Sequence, residues 1–305
     1  MTAMKRRSIL KLSLAAPFLS LGATALRAEA PAMGASFARH RRFTLGQFEV
    51  TTLLAGTTPR ENPQGIFGTN VPPEEFSEVS AENFLSTEIS QFFFTPVVVN
   101  TGAQLVLFDT GLNPAGITDA LAGAGYSPDQ VDIVVITHMH GDHIGGLSDG
   151  ATPTFPNARY VTGQAEFDHW DMSGNEGFEG KVRPLAENMT FLDPDQDVVT
   201  GITSVAAPGH TPGHMGYHIE SEGARLMLFA DLANHPVWSL ARPDWEVRFD
   251  MDKAMAAESR RRVLGMIAAD RIPAVGYHMP FPALGFVEAA GDGFRWVPEQ
   301  GQFIG

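Results

Sequence analysis

The sequence predicts a mixed fold of the α/β or α+β class, with strands and helices sharing one domain. Three observations predict it. Short apolar runs, each ended by a polar or glycine-containing turn, recur at 131–136, 225–230 and 272–277 and read as buried strands. Segments with helical start and stop signals stand between and after them. Asn113 and Pro114 open one over 114–121, with Gly123 and Gly125 behind it, and 252–269 is the clearest helix. Finally, 305 residues of which 44% are hydrophobic suffice to bury a large core, and no repeat or low-complexity tract divides them.

Residues 1–30 have the layout of an export signal. Lys5-Arg6-Arg7-Ser8-Ile9-Leu10-Lys11 resembles the twin-arginine pattern and precedes an apolar stretch, 12–25, interrupted by Ser13, Pro17, Ser20 and Gly22. The expectation is export to the periplasm or the medium, cleavage after Ala25 or Ala28, a mature domain over 31–305 and no stable membrane anchor. Within that domain 48–54 reads as a first strand and 56–73, rich in Gly, Pro, Thr and Asn, as a long loop bordering the site. Ser80 reads as the cap of a short helix ending at Leu85. Segments 91–100 and 104–109 read as paired strands around Thr101-Gly102-Ala103; Phe92, Phe93 and Phe94 cannot all face one side of a strand. Further on come a strand at 158–161, a helix at 164–172, a flexible glycine-rich loop at 173–180, strands at 202–206, 214–220 and 225–230, and a last strand at 294–297. In helix 252–269, Leu264, Ile267 and Ala268 share an apolar face and Arg260-Arg261-Arg262 lies partly on the solvent side.

The chemistry concentrates in Thr137-His138-Met139-His140-Gly141-Asp142-His143, directly after the buried run 131–136. His138 and His140 alternate by two, so an extended segment aims both imidazoles one way, and a turn at Gly141 redirects Asp142 and His143. Imidazole plus carboxylate is a zinc-like ligand set that manganese, iron or cobalt also accept. The alternative is a histidine-rich surface loop, and a strand leading straight into H-x-H-x-D-H disfavours it.

At these residues the sequence resembles the metallo-β-lactamase superfamily, whose signature is H-x-H-x-D-H. The resemblance implies three further ligands, and His210, Asp231 and His278 each stand at or after the end of a strand candidate. It implies a four-layer αβ/βα sandwich and two divalent metal ions, Zn2+ first, with Mn2+, Fe2+ or Co2+ as substitutes. His138, His140 and His210 would hold one ion, and Asp142, His143 and His278 the other. Asp231 would bridge, and a metal-bridging hydroxide oriented by the catalytic Asp142 would attack the substrate. Asp109, in Asp109-Thr110-Gly111, matches a residue that supports the metal site from behind; an Asx turn is the alternative. His214 has the same supporting role in Gly-His-Thr-Pro-Gly-His. Trp170 is either core or a wall of the substrate pocket, and Phe93 is a second candidate wall. Phe178 and Trp238 could also line it, and His235 could face substrate.

The formal charge is −14, and removing Lys5, Arg6, Arg7 and Lys11 with the signal deepens it to −18. Such acidity disfavours nucleic acid and anionic membranes and is compatible with a soluble homodimer. With no cysteine there is neither a disulfide nor a thiolate ligand. Of the superfamily's branches, thioesterases of the glyoxalase II type carry a C-terminal helical domain, whereas 27 residues follow His278 here. Its β-lactamases generally lack a carboxylate at the Asp231 position. The expected activity is therefore hydrolysis of small lactones, aryl esters or organophosphate triesters, as in lactonases and methyl parathion hydrolase-like enzymes. A mononuclear-iron sulfur dioxygenase of the same fold and a β-lactamase are the alternatives.

Overall fold

The structure is a computed structural model and describes residues 34–150 and 152–303. The expected export signal lies outside the described residues, and no helix among the described residues is long and apolar enough to cross a membrane.

In chain order the elements are β1 (His40–Leu45), β2 (Phe48–Leu53), β3 (Gly56–Glu61), α1 (Pro73–Glu82), β4 (Ile89–Phe94), β5 (Val97–Asn100) and β6 (Leu105–Phe108). Then follow α2 (Pro114–Gly123), β7 (Ile133–Ile136), α3 (Gly141–Ile144), β8 (Ser148–Asp149), β9 (Thr152–Pro153), β10 (Arg159–Gly163), α4 (Gln164–Asp171) and α5 (Glu176–Lys181). The second half holds β11 (Met189–Leu192), β12 (Asp197–Val199), β13 (Ile202–Ala206), β14 (Met215–Ser221), β15 (Ala224–Ala230), α6 (Lys253–Asp270), β16 (Pro273–Gly276), β17 (Leu284–Ala290) and β18 (Gly293–Pro298).

Two seven-stranded sheets result, ordered β1-β2-β5-β6-β7-β10-β11 and β12-β13-β14-β15-β16-β17-β18. In the first, β6, β7, β10 and β11 run parallel; in the second only β15 and β16 do. A parallel strand covered on both faces must be apolar throughout, and β7 meets that need. Ile133 and Val135 join Tyr217, Ile219, Leu226 and Leu228 in the core between the sheets. Val134 and Ile136 face outward, into a second core with Ile117 and Leu121 of α2, Trp170 of α4 and Phe178 of α5. On the far side Val263, Leu264 and Ile267 of α6 cover the second sheet. The helix–sheet–sheet–helix layering is the expected sandwich.

Several expectations need correction. Segment 56–61 is a strand rather than loop: β3 pairs with β4 from Gly56 opposite Phe94 to Glu61 opposite Ile89. Its partner supplies the ladder, and a two-stranded edge tolerates Pro59, so no periodicity in 56–61 announced it. The strand expected at 91–100 divides at Thr95-Pro96 into β4 and β5, which belong to different sheets. Pro73, not Ser80, opens α1, with proline in the first helical turn where its missing N–H costs nothing. Ser80 is buried in the last turn, where its hydroxyl donates to Phe76 O and accepts from Trp238 Nε1. The supposed flexible loop 173–180 contains α5, capped by the Asn175 side chain on Phe178 N. β1, β8, β9, β11, β12 and β17 had no expectation at all.

Arg260 is the largest correction. It is fully buried rather than solvated, and its guanidinium pairs with buried Asp250 at 2.8 Å while donating to Pro243 O and Trp245 O. Arg261 and Arg262 are exposed, and Arg261 pairs with Asp244. Removing one partner of a buried pair strands the other charge, at a typical cost of about 3–5 kcal/mol. Urea unfolding of Arg260→Met should show a loss of that order, whereas Arg261→Met should lose less than about 1 kcal/mol.

Candidate metal centre

β7 delivers residues 137–140 to the sheet edge, and His140 stands at the N-terminus of the one-turn α3 that carries Asp142 and His143. Asp109, just past β6, fixes this turn: its carboxylate accepts from Thr137 N (2.9 Å), Thr137 Oγ1 (2.8 Å) and His143 Nδ1 (2.8 Å). Gly146 lets the following chain press on the Thr110 carbonyl, where any Cβ would collide. Three more segments meet this turn, each beyond the end of a strand. His210 follows β13, Asp231 follows β15 and His278 follows β16. Ala230 takes a left-handed φ of 46°, unusual for a residue with a Cβ, and so swings Asp231 out of the β15 line.

The outer partner of each histidine determines which ring nitrogen is left to face inward. His143 Nδ1 is committed to Asp109, His210 Nδ1 donates to Asp250 Oδ1 (2.9 Å) and His278 Nδ1 donates to Phe93 O (2.8 Å). His138 Nδ1 donates to Thr137 Oγ1 (3.2 Å), since that hydroxyl spends its proton on Asp109. All four thus turn Nε2 inward. His138 Nε2 and His210 Nε2 lie 3.1 and 3.0 Å from His140 Nδ1. His143 Nε2 lies 3.2 Å from Asp231 Oδ1 and 3.7 Å from Asp142 Oδ2. His278 Nε2 is 3.3 Å from Asp142 Oδ2 and 3.1 Å from Asp231 Oδ2. Asp231 also reaches His210 Nε2 at 3.3 Å, so one carboxylate spans both groups.

Charge is divided unevenly. Burial holds His138 well below its ordinary pKa and His140 down to about 3, reinforced by His143 and His210 respectively. Burial opposes the charge on His143 and His278 too, but there the carboxylates win. Asp231, Asp109 and Asp142 raise His143 well above its ordinary value, and Asp231 and Asp142 raise His278 to about 10. Against the desolvation of burial, His143 and His278 hold Asp142 at about 2, while His278 and His143 hold Asp231 well below the carboxylate range.

These donors fit divalent cations. His138, His140 and His210 converge inward-facing nitrogens with no carboxylate among the three, and Asp142, His143 and His278 form a second convergence. Tetrahedral coordination at a zinc–nitrogen distance of ~2.0–2.1 Å places ligand atoms about 3.3 Å apart, close to the separations found. His143 Nε2 and Asp231 Oδ1 are buried with no hydrogen-bond partner, a costly state that a cation between them removes.

Residues 95–274 match the family described as the metallo-beta-lactamase superfamily. The chain belongs to that superfamily. Among curated relatives, an N-acyl homoserine lactonase of a Bacillus species is 28% identical over 150 residues, 49% of this chain and 57% of the relative. N-acyl homoserine lactonase AiiA of Bacillus thuringiensis subsp. kurstaki is 31% identical over 112 residues, 37% and 42% of the two chains. The chain thus spans about half the length of the curated relatives it matches. Among solved structures AidC, described as a dizinc quorum-quenching lactonase in complex with a product, superposes with a TM-score of 0.80 at 27% identity. It covers 86% of this chain and 98% of its own. The hydrolase AbOPH shares the fold, with a TM-score of 0.80 at 23% identity over 87% and 99% of the two chains.

A cleft of about 360 Å³ opens over this superfamily centre, lined by His140, Asp142, His210, Asp231 and His278 on the floor and by Arg60, Phe92, Phe94, Leu112 and Phe249 around them. The two expected wall residues are not in it. Strand alternation puts Phe92 and Phe94 on the cleft side, and Phe93 instead packs edge-on against Phe37. Trp170 is buried in the outer core; its ring edge meets His140, and its indole N–H is bonded to Glu166 (2.6 Å). Phe178 and Trp238 are core residues as well. His214 lies behind the site, donating Nδ1 to Ala207 O and accepting from Asp231 N at 3.1 Å. His235 does not face the cleft; it stacks on Trp238 and accepts from Val237 N and Trp238 N.

Sequence reasoning missed four residues. Asp250 orients His210, and Asn234 Nδ2 donates to Asp231 Oδ2 (2.8 Å). Tyr277 lays its ring on His143 and donates to Asp142 O at 2.6 Å. Glu166, fully buried, accepts from Met139 N, Trp170 Nε1, Thr211 Oγ1 and Gly213 N, so it ties the His138–His140 segment to the His210 loop. Only its helical spacing from Trp170 was visible in sequence.

Glu166→Ala leaves several buried donors unpaired, each costing about 1–3 kcal/mol. Urea unfolding should register a loss above about 3 kcal/mol, and the amides of Met139 and Gly213 should exchange faster. A separate expectation concerns acid. Burial pushes His235 down to about 3. Above pH 6.5 folded and unfolded chains both hold it neutral; as pH falls from 6.5 towards 3 only the unfolded chain takes the proton, so stability is lost. Asn keeps a capping acceptor that does not titrate. Between those pH values the stability of the unmodified protein should fall relative to His235→Asn by up to about 1.4 kcal/mol per pH unit.

Proposed function

We propose that the protein is a dinuclear-metal hydrolase whose substrates are lactones. The carrying observation is the double convergence of inward-facing ligand atoms around the shared Asp231 carboxylate, beneath an open cleft. His138, His140 and His210 would hold one cation and Asp142, His143 and His278 the other, with Asp231 between them. Cations so held supply a water of lowered pKa and polarise the scissile carbonyl.

The chain's own groups do the rest. Asp142 is the acidic ligand whose side chain stays 23% exposed, facing the cleft, so its carboxylate can orient water and take up its proton. The Tyr277 hydroxyl on Asp142 O holds the α3 turn in place during that transfer. Asp109, Asp250 and Phe93 O keep His143, His210 and His278 in the tautomers that leave Nε2 free. The apolar walls Phe92, Phe94, Leu112 and Phe249 exclude water from the acyl part of the substrate. The likeness to N-acyl homoserine lactonases over part of the chain, and to the dizinc lactonase AidC over most of it, favours a lactone ring over other esters. Aryl esters and organophosphate triesters are weaker candidates for the same cleft.

The test is metal content and initial rate on zinc- or manganese-loaded protein with N-hexanoyl homoserine lactone, methyl parathion and a cephalosporin. Two metal equivalents and lactone turnover are expected, with loss on chelation and a fall of about 10²-fold or more in Asp142→Ala. A single iron with oxygen uptake and no lactone turnover would replace this reading with the oxidoreductase one.

A further inference from the structure

The cleft mouth carries a feature that hydrolysis itself does not require. Phe92 and Phe249 line it and meet edge to face with ring centroids 6.4 Å apart. The Arg60 guanidinium lies over Phe92 at 6.0 Å, and that of Arg248 over Phe249 at 4.9 Å. Neither guanidinium has a carboxylate or hydrogen-bond acceptor among the described residues, and both residues are exposed. Among the described residues Arg41, Arg42, Arg183, Arg225, Arg260, Arg261 and Arg295 are matched with acidic side chains, whereas Arg39, Arg159, Arg242, Arg262 and Arg271 are not, so it is the place of Arg60 and Arg248 on the cleft's rings that sets them apart. The two rings also tie the cations to the centre. Phe92 packs edge-on against His278 at 5.4 Å, and Phe249 directly precedes Asp250, the partner of His210.

Two cations without anionic partners, Arg60 lining the cleft and Arg248 resting on the Phe249 ring that lines it, give the mouth a positive rim in a chain of net charge −14. A uniformly acidic mouth would repel anions, and this rim offers them fork-shaped donors one ring beyond the reacting centre. Resting on the lactone reading above, we propose that Arg60 and Arg248 determine specificity. The preferred substrate is a lactone whose non-reacting arm ends in a carboxylate, with the arm's methylene chain on Phe92 and Phe249. Ring opening adds water across the lactone C–O bond at the centre and leaves the distal carboxylate unchanged, so the rim acts on binding and not on the bond broken.

The test compares N-hexanoyl homoserine lactone with its ω-carboxylate counterpart, N-adipoyl homoserine lactone, on zinc-loaded protein. A lower KM for the carboxylate-bearing lactone by about fivefold is expected, since two exposed charge contacts contribute modestly. The preference, read as the ratio of the two KM values within each protein, should vanish in Arg60→Ala/Arg248→Ala and in 0.5 M NaCl. Arg60→Lys/Arg248→Lys, which keeps both charges, should retain part of it. Equal KM values in the unmodified protein, or an equal loss on both lactones in the alanine variant, overturn the proposal. The ring-opened N-adipoyl and N-hexanoyl homoserines, titrated calorimetrically, separate this proposal from the reading beneath it. Tighter binding of the diacid, abolished by the double alanine variant, upholds the rim even if neither lactone is hydrolysed; equal binding overturns it.

Discussion

The arrangement depends on one constraint: buried lone pairs that point at one another. Seven side chains from four segments bring their inner atoms to roughly 3–4 Å separations, and two of those atoms have no hydrogen-bond donor at all. Such a cluster is unfavourable unless positive charge occupies its middle. Carboxylates crowd the rings of His143 and His278 and raise their pKa values, whereas burial lowers those of His138 and His140. The asymmetry follows from where the carboxylates sit.

Holding that cluster open requires rigidity on its outer side, which explains the density of buried polar groups around it. Asp109 gathers Thr137 and His143, Asp250 with Arg260 backs His210, His214 takes the Asp231 amide, and Glu166 spans two loops. Each brace joins segments distant in sequence, so each ligand's aim depends on the packing of both sheets. The cleft above is built differently. Its walls are aromatic rings on β4 and on the segment before α6, so the floor and the walls belong to separate sets of residues.

By itself the sequence determined the H-x-H-x-D-H turn, the strand before it and the helix α6, while His210, Asp231, His278 and the layered fold came from the resemblance. The turn, the strand and the helix are local in origin: a β-branched run, a two-residue alternation and an amphipathic stretch carry their meaning within a few neighbours. The resemblance extended that reading across the chain. Only the tertiary structure decided which aromatic rings face the cleft, because Phe92, Phe93 and Phe94 are alike in composition and differ only in the face that the pairing of β3 with β4 assigns them. The same holds for Arg260, one of three consecutive arginines, whose burial follows from the rotation of α6 against Asp250. Glu166 drew no expectation and Trp170 could be core or pocket wall; they are bonded to each other inside the core. Side-chain direction and long-range polar pairing are properties of packed elements, and a buried polar group can be recognised only once its partners stand beside it.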